Sequence, residues 1–436
     1  MTRAQYLGYG IGAAGSAGFG TVPGLILAVY LTDTLGVAAA VAAIVVLVPK
    51  VWDMLFLPIV GNWSDSAVTR RGGRTRFIAI GAFAMLLAFP LMFAVPAGTH
   101  SSVAALWVLV AFTLAATAYA FFQVPYVALP AEITDVASER TTMLSWRVGL
   151  QLLGILTFGV GAPVMIDLAG AGNLAYFVMG AAVAVTIFIA MMACWFSVRR
   201  LPRFVSEETA IGGSLRTQFR VAWQARPFRV LVTVFVLQAI GGGAVLAATP
   251  YFSVNVLGIT DFGLLFGVLL VPGALSTPLW SLVGHRLGTR RGFLIASSLF
   301  IVALLTSLAA PVLSLPVATA LVALVAAGYA GMQMFPLAML PDTIAENAAH
   351  TGTQRAGALT GVWTAGETLA FALGPALVLL LLAVTGYTST VGTEQMTQSA
   401  SAVTGVRIAF SVLPALLVAL SIPLMLRYPL REHTSS

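Results

Sequence analysis

Twelve long apolar segments, separated by short polar stretches, make up most of the chain. A transmembrane helix needs about 20 predominantly apolar residues, and each segment is close to or above that length. The segments are rich in Leu, Ala and Phe and lack the strict alternation of barrel strands. The predicted spans are 7–31, 37–62, 77–97, 103–129, 146–167, 173–197, 228–257, 262–285, 293–313, 316–341, 357–383 and 405–427. We therefore predict an all-α membrane protein with twelve transmembrane helices.

A basic, amphiphilic stretch interrupts the apolar pattern near the middle of the chain and separates six spans from six. We predict an N-terminal six-helix bundle at 1–197, a cytoplasmic linker at 198–227 that lies on the anionic inner leaflet, and a C-terminal six-helix bundle at 228–436.

Two sequence echoes indicate that the halves are related. The first pairs residues of the second and eighth spans, 223 positions apart: Val48 with Val271, Pro49 with Pro272, Val60 with Val283 and Gly61 with Gly284. The second pairs the ends of the fourth and tenth spans: Leu129 with Leu340 and Pro130 with Pro341. Two parallel repeats of six helices are typical of the major-facilitator fold, in which one bundle rocks against the other around a midplane site.

Composition and charge support a membrane location. The chain is 59% hydrophobic and 8% charged, whereas a soluble domain has roughly 25% charged residues. The net charge of +7 comes mainly from arginines in alternate loops, which predicts cytoplasmic termini and insertion in the cell (inner) membrane. Membrane topology therefore accounts for the excess of basic over acidic residues, and this distribution excludes a nucleic-acid partner.

No motif predicts catalysis. The sequence has no GxxxxGK[ST] loop for ATP, no GxSxG and no His/Cys cluster with metal spacing, and its single cysteine excludes an intramolecular disulfide. We expect a protein that is not an enzyme and has no resident cofactor or metal. The expected partners are a small-molecule solute and the lipid bilayer, and we expect a monomer.

Few ionisable residues lie inside the predicted spans, and the candidates among them are Lys50, Asp53, Arg147 and Glu367. Such groups are costly in a bilayer and are candidates for function. Asp53 is about ten residues from the cytoplasmic end of its helix, or roughly 15 Å, near the middle of the membrane. Lys50 and Asp53 are three residues apart and share a helix face, so they can pair. One interpretation is purely structural pairing between helices; the other is a site that couples transport to a cation, formed by Asp53, Lys50 and Glu367.

The coupling ion can be H⁺ or Na⁺. A carboxyl group whose desolvation is balanced by a nearby cation can take up and release a proton. A sodium site needs several oxygen ligands together. One turn after Asp53 the chain has Leu57 rather than a second carboxylate, which favours H⁺, or no ion at all.

Uncharged polar and aromatic residues in the spans are candidates for solute binding. Glutamines in spans often form hydrogen bonds between helices, and aromatic side chains often face lipid or the core, so this interpretation competes with a structural one. The candidate substrate-binding residues are Arg147, Gln123, Tyr126, Trp52 and Trp363.

Several motifs together resemble the glycoside–pentoside–hexuronide:cation symporter family, the melibiose-permease-like branch of the major facilitator superfamily. They are YGIGAAG (9–15), YLTDTLG (30–36), KVWD with PIVGNWSD and RRGGR (50–74), VPYVALPAEITDVASERT (124–141) and PDTIAENAAHTGTQRAGALTG (341–361). The resemblance implies that Asp53 is the cation carboxylate of helix two, with Lys50 before it, and that Arg147 helps to bind the solute. The family's other acidic positions fall on Leu57, Ala17 and Gln123, and its helix-eleven lysine falls near Thr368.

The resemblance also implies a cytoplasmic charge latch that gates the transporter. The expected gating residues are Asp65, Arg71, Arg74, Asp135, Glu139, Arg140 and Arg355.

The sequence thus predicts a secondary active transporter of a small organic solute, sugar-like or glycoside-like by resemblance, that works by alternating access with H⁺ favoured over Na⁺. The alternatives are a facilitative transporter, a lysolipid or amphiphile transporter, and a non-transporting membrane receptor with the same fold.

Overall fold

The computed structural model describes residues 2–68, 75–134, 136–170, 172–201, 220, 223–259, 262–351, 356–391 and 397–428. Within these ranges the chain is almost entirely helical, and its β structure is one isolated bridge between Leu35 and Val391. Contacts divide the chain into two compact units. Unit 1 comprises Met1–Thr209 and Ser389–Met396, and unit 2 comprises Ala210–Thr388 and Thr397–Ser436.

Each unit contains six helices in its described part. Those of unit 1 are α1 Arg3–Leu27, α2 Ala39–Val68, α3 Thr75–Leu91, α4 Ser101–Ile133, α5 Ala137–Ala169 and α6 Asn173–Val198. Those of unit 2 are α7 Arg226–Leu257, α8 Phe262–Leu287, α9 Thr289–Val312, α10 Leu315–Thr351, α11 Ala356–Val384 and α12 Ala400–Leu426.

Eleven of these helices are long and apolar enough to cross a membrane, and α3 is a shorter apolar helix of 17 residues. The predicted all-helical architecture is therefore confirmed in the part of the chain that the structure describes.

Some helix ends differ from the prediction, because hydropathy detects only the apolar part of a helix. Helix α5 begins at Ala137 rather than at 146, and α10 continues through Pro341 to Thr351. Both additions are polar turns that hydropathy does not recognise. Helix α3 ends at Leu91, earlier than the predicted 97, directly after Pro90.

The two units share one packing pattern. In unit 1, α1 packs on α5 and α6, while α4 packs on α2 and α3. In unit 2, α7 packs on α11 and α12, while α10 packs on α8 and α9. Each helix of the first set corresponds to the helix six places later, as the sequence echoes predict.

Small residues set the close helix contacts in both units. A methyl group added at Gly154 of α5 would lie 2.9 Å from the Ala14 backbone of α1. In unit 2, a methyl group at Gly374 of α11 would lie 2.5 Å from the Ile240 backbone oxygen of α7. Such contacts let helices approach closely in lipid, where packing rather than the hydrophobic effect drives association.

The first helix of each unit ends in the same way. The π turns Tyr30–Thr34 and Ser253–Leu257 lead to glycines with positive φ, at 64° for Gly36 and 68° for Gly258. In both, the residue after the glycine donates its N–H to the carbonyl six residues earlier, at 2.8 and 3.0 Å. Left-handed backbone favours glycine, so this repeated turn explains why glycine occupies both positions.

Candidate functional site

Asp53 lies near the middle of α2, on a buried side of this helix in unit 1. Its side chain is only 3% exposed, and its Oδ1 atom is buried without a hydrogen-bond partner among the described residues. Buried carboxylate oxygens are normally paired, because an unpaired one costs several kcal/mol of solvation free energy (on the order of 2–7 for polar groups). An unpaired oxygen at this depth is therefore a candidate position for a proton or a ligand.

Lys50 lies one turn before Asp53, but aromatic rings hold its ammonium group. Nζ is 4.7 Å from the ring centroid of Phe19 on α1 and 5.5 Å from that of Phe112 on α4. These cation–π contacts stabilise the charge by about 0.5–2 kcal/mol each. Lys50 and Asp53 attract each other electrostatically but form no ion pair within 4.0 Å. The expected pairing is therefore a longer-range attraction.

A second cluster in unit 1 combines two tyrosines with Arg147. Tyr126 of α4 stacks on Tyr9 of α1 with centroids 4.8 Å apart, and its hydroxyl donates to the Tyr9 carbonyl at 3.1 Å. Phe122 also stacks on Tyr126, with ring centroids 5.1 Å apart. The guanidinium carbon of Arg147, on α5, lies 5.4 Å from the Tyr126 ring centroid. The structure thus joins two predicted substrate-binding residues, Arg147 and Tyr126, in one patch.

Gln123 is on the same face of α4 as Tyr126, three residues earlier. Its Oε1 atom is 3.1 Å from Ser16 Oγ on α1, so the amide is anchored between helices and remains half-buried. This contact fits the structural interpretation of Gln123 and leaves the rest of the amide for a solute.

Trp52 faces away from the two clusters. It is 41% exposed, its Nε1 donates to Thr117 Oγ1 of α4 at 2.9 Å, and it stacks on Phe56 at 5.3 Å.

The remaining candidates of the coupling and solute sites, Glu367 and Trp363, belong to α11 in unit 2. The Trp363 ring is 3% exposed and stacks on Phe235 at 4.1 Å, while its Nε1 is buried with no hydrogen-bond partner among the described residues. Glu367 is half-buried and acts electrostatically on Tyr329, whose hydroxyl accepts from Gln333 Nε2 at 3.2 Å. Unit 2 therefore has its own set of buried and half-buried polar side chains, those of Trp363, Glu367 and Tyr329.

The structure describes two of the expected gating residues with their side chains, Glu139 and Arg140. Thr134 follows the end of α4, and its Oγ1 donates to Glu139 Oε2 at 2.6 Å, while Arg140 Nε donates to the Thr134 carbonyl at 2.8 Å. Asp65 lies in the last turns of α2, outside the described side chains. The other expected gating residues lie outside the described residues: Arg71, Arg74, Asp135 and Arg355.

Several residues of the site were missed at the sequence level. Phe19, Phe112 and Tyr9 are apolar or aromatic residues in apolar helices, and only their contacts with Lys50 and Tyr126 distinguish them from other core residues. The motif YGIGAAG at 9–15 was the available signal for Tyr9. No signal in the sequence points to Phe19 or Phe112.

Within the described ranges, no group of three or more His, Cys, Asp and Glu side chains is placed to hold a metal ion. At α2 the described side chains are the Asp53 carboxylate, the Lys50 ammonium group and the two aromatic rings beside it.

Comparisons with known proteins agree with this fold. Residues 8–432 match a family model described as MFS/sugar transport protein. Over 427 residues the chain is 24% identical to the putative glycoside/cation symporter YagG of Escherichia coli K12, which covers 96% of this chain and 90% of that protein. A stretch of 166 residues is 31% identical to the sodium-dependent lysophosphatidylcholine symporter 1 of Mus musculus, covering 37% of this chain and 30% of that protein.

A solved structure shows the same fold. The crystal structure of a D-xylose-proton symporter matches with a TM-score of 0.67 and 14% identity, over 98% of this chain and 96% of that one. The predicted major-facilitator fold and the resemblance to cation symporters of glycosides are thereby confirmed. The matched proteins are transporters rather than enzymes, and the chain is an integral membrane protein whose partner class is a small-molecule solute.

Proposed function

The chain belongs to the MFS/sugar transport protein family, and on this premise we propose that it is a secondary transporter that couples uptake of a small organic solute to H⁺ at Asp53. The solute and the proton cross the membrane in the same alternating-access cycle, which is the usual transport mode of this fold. Lys50 sets the electrostatics of Asp53, and Arg147, Gln123 and Tyr126 contact the solute.

The observation that carries the proposal is the state of Asp53. Its carboxylate is buried near the middle of a helix and has an oxygen with no hydrogen-bond partner among the described residues. The nearest cation, Lys50, is held by Phe19 and Phe112 and does not neutralise it by direct pairing. A proton supplies what this oxygen lacks, because a protonated carboxyl is neutral and tolerates burial.

The half-buried amide of Gln123 supports a solute that carries hydroxyl groups. An amide donates hydrogen bonds to hydroxyl groups and accepts them from hydroxyl groups. The likeness to a lysophosphatidylcholine symporter favours one rival, an amphiphilic lipid solute. The two hypotheses, a sugar-like solute and an amphiphilic lipid solute, assume the same fold. They differ in which of the two ligands is expected to stabilise the protein against unfolding.

The test uses purified full-length protein and proceeds in two steps. Thermal unfolding with methyl glycosides, a methyl glucuronide and a lysophospholipid first identifies a ligand, because a ligand that binds only the folded state raises Tm. That ligand, radiolabelled, is then assayed in proteoliposomes for gradient-driven accumulation and for one-to-one exchange.

In this assay, Asp53→Asn is expected to abolish accumulation under a pH gradient and to preserve exchange. Asparagine has the shape of a permanently protonated aspartate, so the solute can still be carried across but without a titrating proton. The matched control is Asp167→Asn, which removes an exposed carboxylate at the end of α5 and is expected to behave as wild type. Accumulation by Asp53→Asn equal to wild type would show that Asp53 does not couple. Exchange without accumulation in the wild type would indicate a facilitator, and absence of both would favour a receptor.

A further inference from the structure

A short strap of the chain, Ser389–Val391, lies against the turn between α1 and α2. It follows α11 in the sequence but belongs to unit 1, as does the turn that it contacts. The serine hydroxyl of the strap donates to the Val37 carbonyl at 2.8 Å. Thr390 donates twice, its N–H to the Thr32 carbonyl at 2.9 Å and its hydroxyl to the Asp33 carbonyl at 3.0 Å. Carbonyls at the end of a helix lack a following helical N–H, so the strap caps the π turn that ends α1.

The strap also covers the glycine of this turn. Val391 pairs with Leu35 in the isolated β-bridge. A methyl group added at Gly36 would lie 2.6 Å from Val391 Cγ2, whereas at Gly258, in the equivalent turn of unit 2, no atom of the described structure would lie within 4 Å. The same turn therefore forms in unit 2 without a cover at its glycine. The strap is an addition to unit 1 rather than a requirement of the turn.

The chain on both sides of the strap is fixed in unit 2. The Thr388 N–H donates to Gln398 Oε1 at 2.9 Å, and Gln398 Nε2 donates to the Thr388 carbonyl at 2.8 Å. The ring of Tyr387 meets the buried ring of Tyr251, on α7, edge to face with centroids 5.3 Å apart. Thr388 and Ser389 are neighbours in the chain, so their Cα atoms stay about 3.8 Å apart. This base in unit 2 is therefore joined to the strap without slack.

In alternating access one bundle moves against the other. A chain connection without slack cannot follow such a motion while the strap keeps its hydrogen bonds to the turn. We propose that the strap is a releasable clasp, which detaches from the α1–α2 turn and returns in each transport cycle. Its hydrogen bonds set how often the protein opens on the side of the membrane where the strap lies.

The strength of the contact fits a reversible clasp. Three neutral hydrogen bonds hold it, and each contributes only about fivefold to an equilibrium, because water replaces the lost partner at an accessible helix end. The clasp requires a transporter that alternates its access, and it does not require H⁺ coupling.

The first experiment measures how often the strap detaches, with a thiol in place of Leu35. Purified full-length Leu35→Cys is placed in lipid nanodiscs, which expose both membrane faces, and its labelling by a water-soluble maleimide is followed by mass spectrometry. Slow labelling is expected, because the Leu35 side chain is 5% exposed while the strap is attached. The wild type gives the blank, since its single cysteine, Cys194, is buried. Unfolded Leu35→Cys gives the maximal rate.

Loss of the strap's hydrogen bonds is expected to speed this labelling. In the Leu35→Cys protein, Ser389→Ala and Thr390→Val each remove one hydroxyl donor. Each is expected to raise the labelling rate about fivefold, and the two together about 25-fold. Thr404→Val is the matched control, because its exposed hydroxyl donates to the Ala400 carbonyl of its own helix, α12, and it is expected to leave the rate unchanged. Thermal unfolding of every variant separates release of the strap from loss of the fold.

The second experiment locks the strap. Residues directly opposite each other in an antiparallel pair have Cα atoms about 4.5–5.5 Å apart, a distance that a disulfide spans. Leu35→Cys/Val391→Cys is therefore oxidised to hold the strap in place. Exchange of radiolabelled methyl β-D-glucoside, methyl β-D-glucuronide and 1-oleoyl lysophosphatidylcholine is measured in proteoliposomes. Oxidation is expected to stop exchange and reduction to restore it, whereas the two single variants are expected to be insensitive to both treatments.

Equal labelling rates with and without Ser389→Ala/Thr390→Val would overturn the proposal, because the strap's bonds would then not control opening. Absence of labelling in folded Leu35→Cys would overturn it too, as would undiminished exchange by the fully cross-linked protein. The labelling result decides even if the reduced protein exchanges none of the three compounds. Neither readout needs a gradient or a titrating Asp53, so failure of the proposed H⁺ coupling leaves both unchanged.

Discussion

At the scale of single residues, buried polar atoms without partners mark the groups that await a ligand. In unit 2 this applies to Trp363, whose ring is held by stacking on Phe235 while its Nε1 finds no partner in the described part of the chain. In contrast, the equally buried Trp280 donates its Nε1 to the Ala327 carbonyl at 2.7 Å. The two indoles therefore form a matched pair for testing whether Trp363 binds the solute.

Trp363→Phe is expected to keep the free energy of unfolding within about 1 kcal/mol of wild type, because no described internal hydrogen bond is lost. If Trp363 donates to the solute, affinity falls roughly fivefold to tenfold, as expected for one hydrogen bond of about 1 kcal/mol. Isothermal titration with the stabilising ligand measures the affinity, and thermal unfolding measures the stability.

Trp280→Phe is the control for this change. It leaves a buried carbonyl unpaired, so it is expected to lower stability by about 1–3 kcal/mol while solute affinity stays the same. Unchanged affinity in Trp363→Phe would remove Trp363 from the solute site.

At the scale of helices, glycines decide how closely neighbouring helices pack. Two of the glycines of helix α5, Gly154 and Gly161, lie seven residues apart in opposite environments. A methyl group at Gly154 meets the Ala14 backbone of α1 at 2.9 Å, whereas one at Gly161 has no neighbour within 4 Å in the described structure. The same substitution at the two positions thus has opposite expected effects.

Gly154→Ala is expected to lower stability by about 1–3 kcal/mol, because the α1 backbone must move to accept the methyl group. Gly161→Ala is expected to be neutral or to stabilise the protein by up to about 1 kcal/mol, since alanine is the better helix former. Thermal unfolding of both variants in the same detergent measures the difference. Equal Tm values would contradict the close α1–α5 contact.

The number and type of the helices follow from the sequence, because apolar length alone determines them. Their ends do not, since the polar first turns of α5 at Ala137 and the last turns of α10 beyond Pro341 carry no hydrophobic signal. The site shows the same limit. The charges at Lys50, Asp53 and Arg147 stand out in apolar spans, but the contacts of Lys50 with Phe19 and Phe112 depend on tertiary packing that spacing along α2 does not encode.

At the scale of the whole molecule, the two units repeat one packing pattern but differ in their polar groups. Unit 1 carries the aspartate, the lysine and the arginine, and unit 2 carries Glu367 with Trp363 and Tyr329. Duplication preserved the scaffold, including the π turns before Gly36 and Gly258, while the ionisable groups diverged. The proposed coupling carboxylate, Asp53, belongs to unit 1. The cytoplasmic position of both termini stays a prediction of the arginine distribution.

The most direct test of the central claim is whether solute entry moves protons through Asp53. Proteoliposomes in weakly buffered, sodium-free medium receive the ligand that thermal unfolding identifies, and the external pH is recorded. We expect the wild type to make the medium more alkaline as solute and H⁺ enter together, and Asp53→Asn to show no pH change although it still exchanges solute. A pH change that persists in Asp53→Asn, or wild-type uptake that requires Na⁺ and moves no protons, would contradict the account.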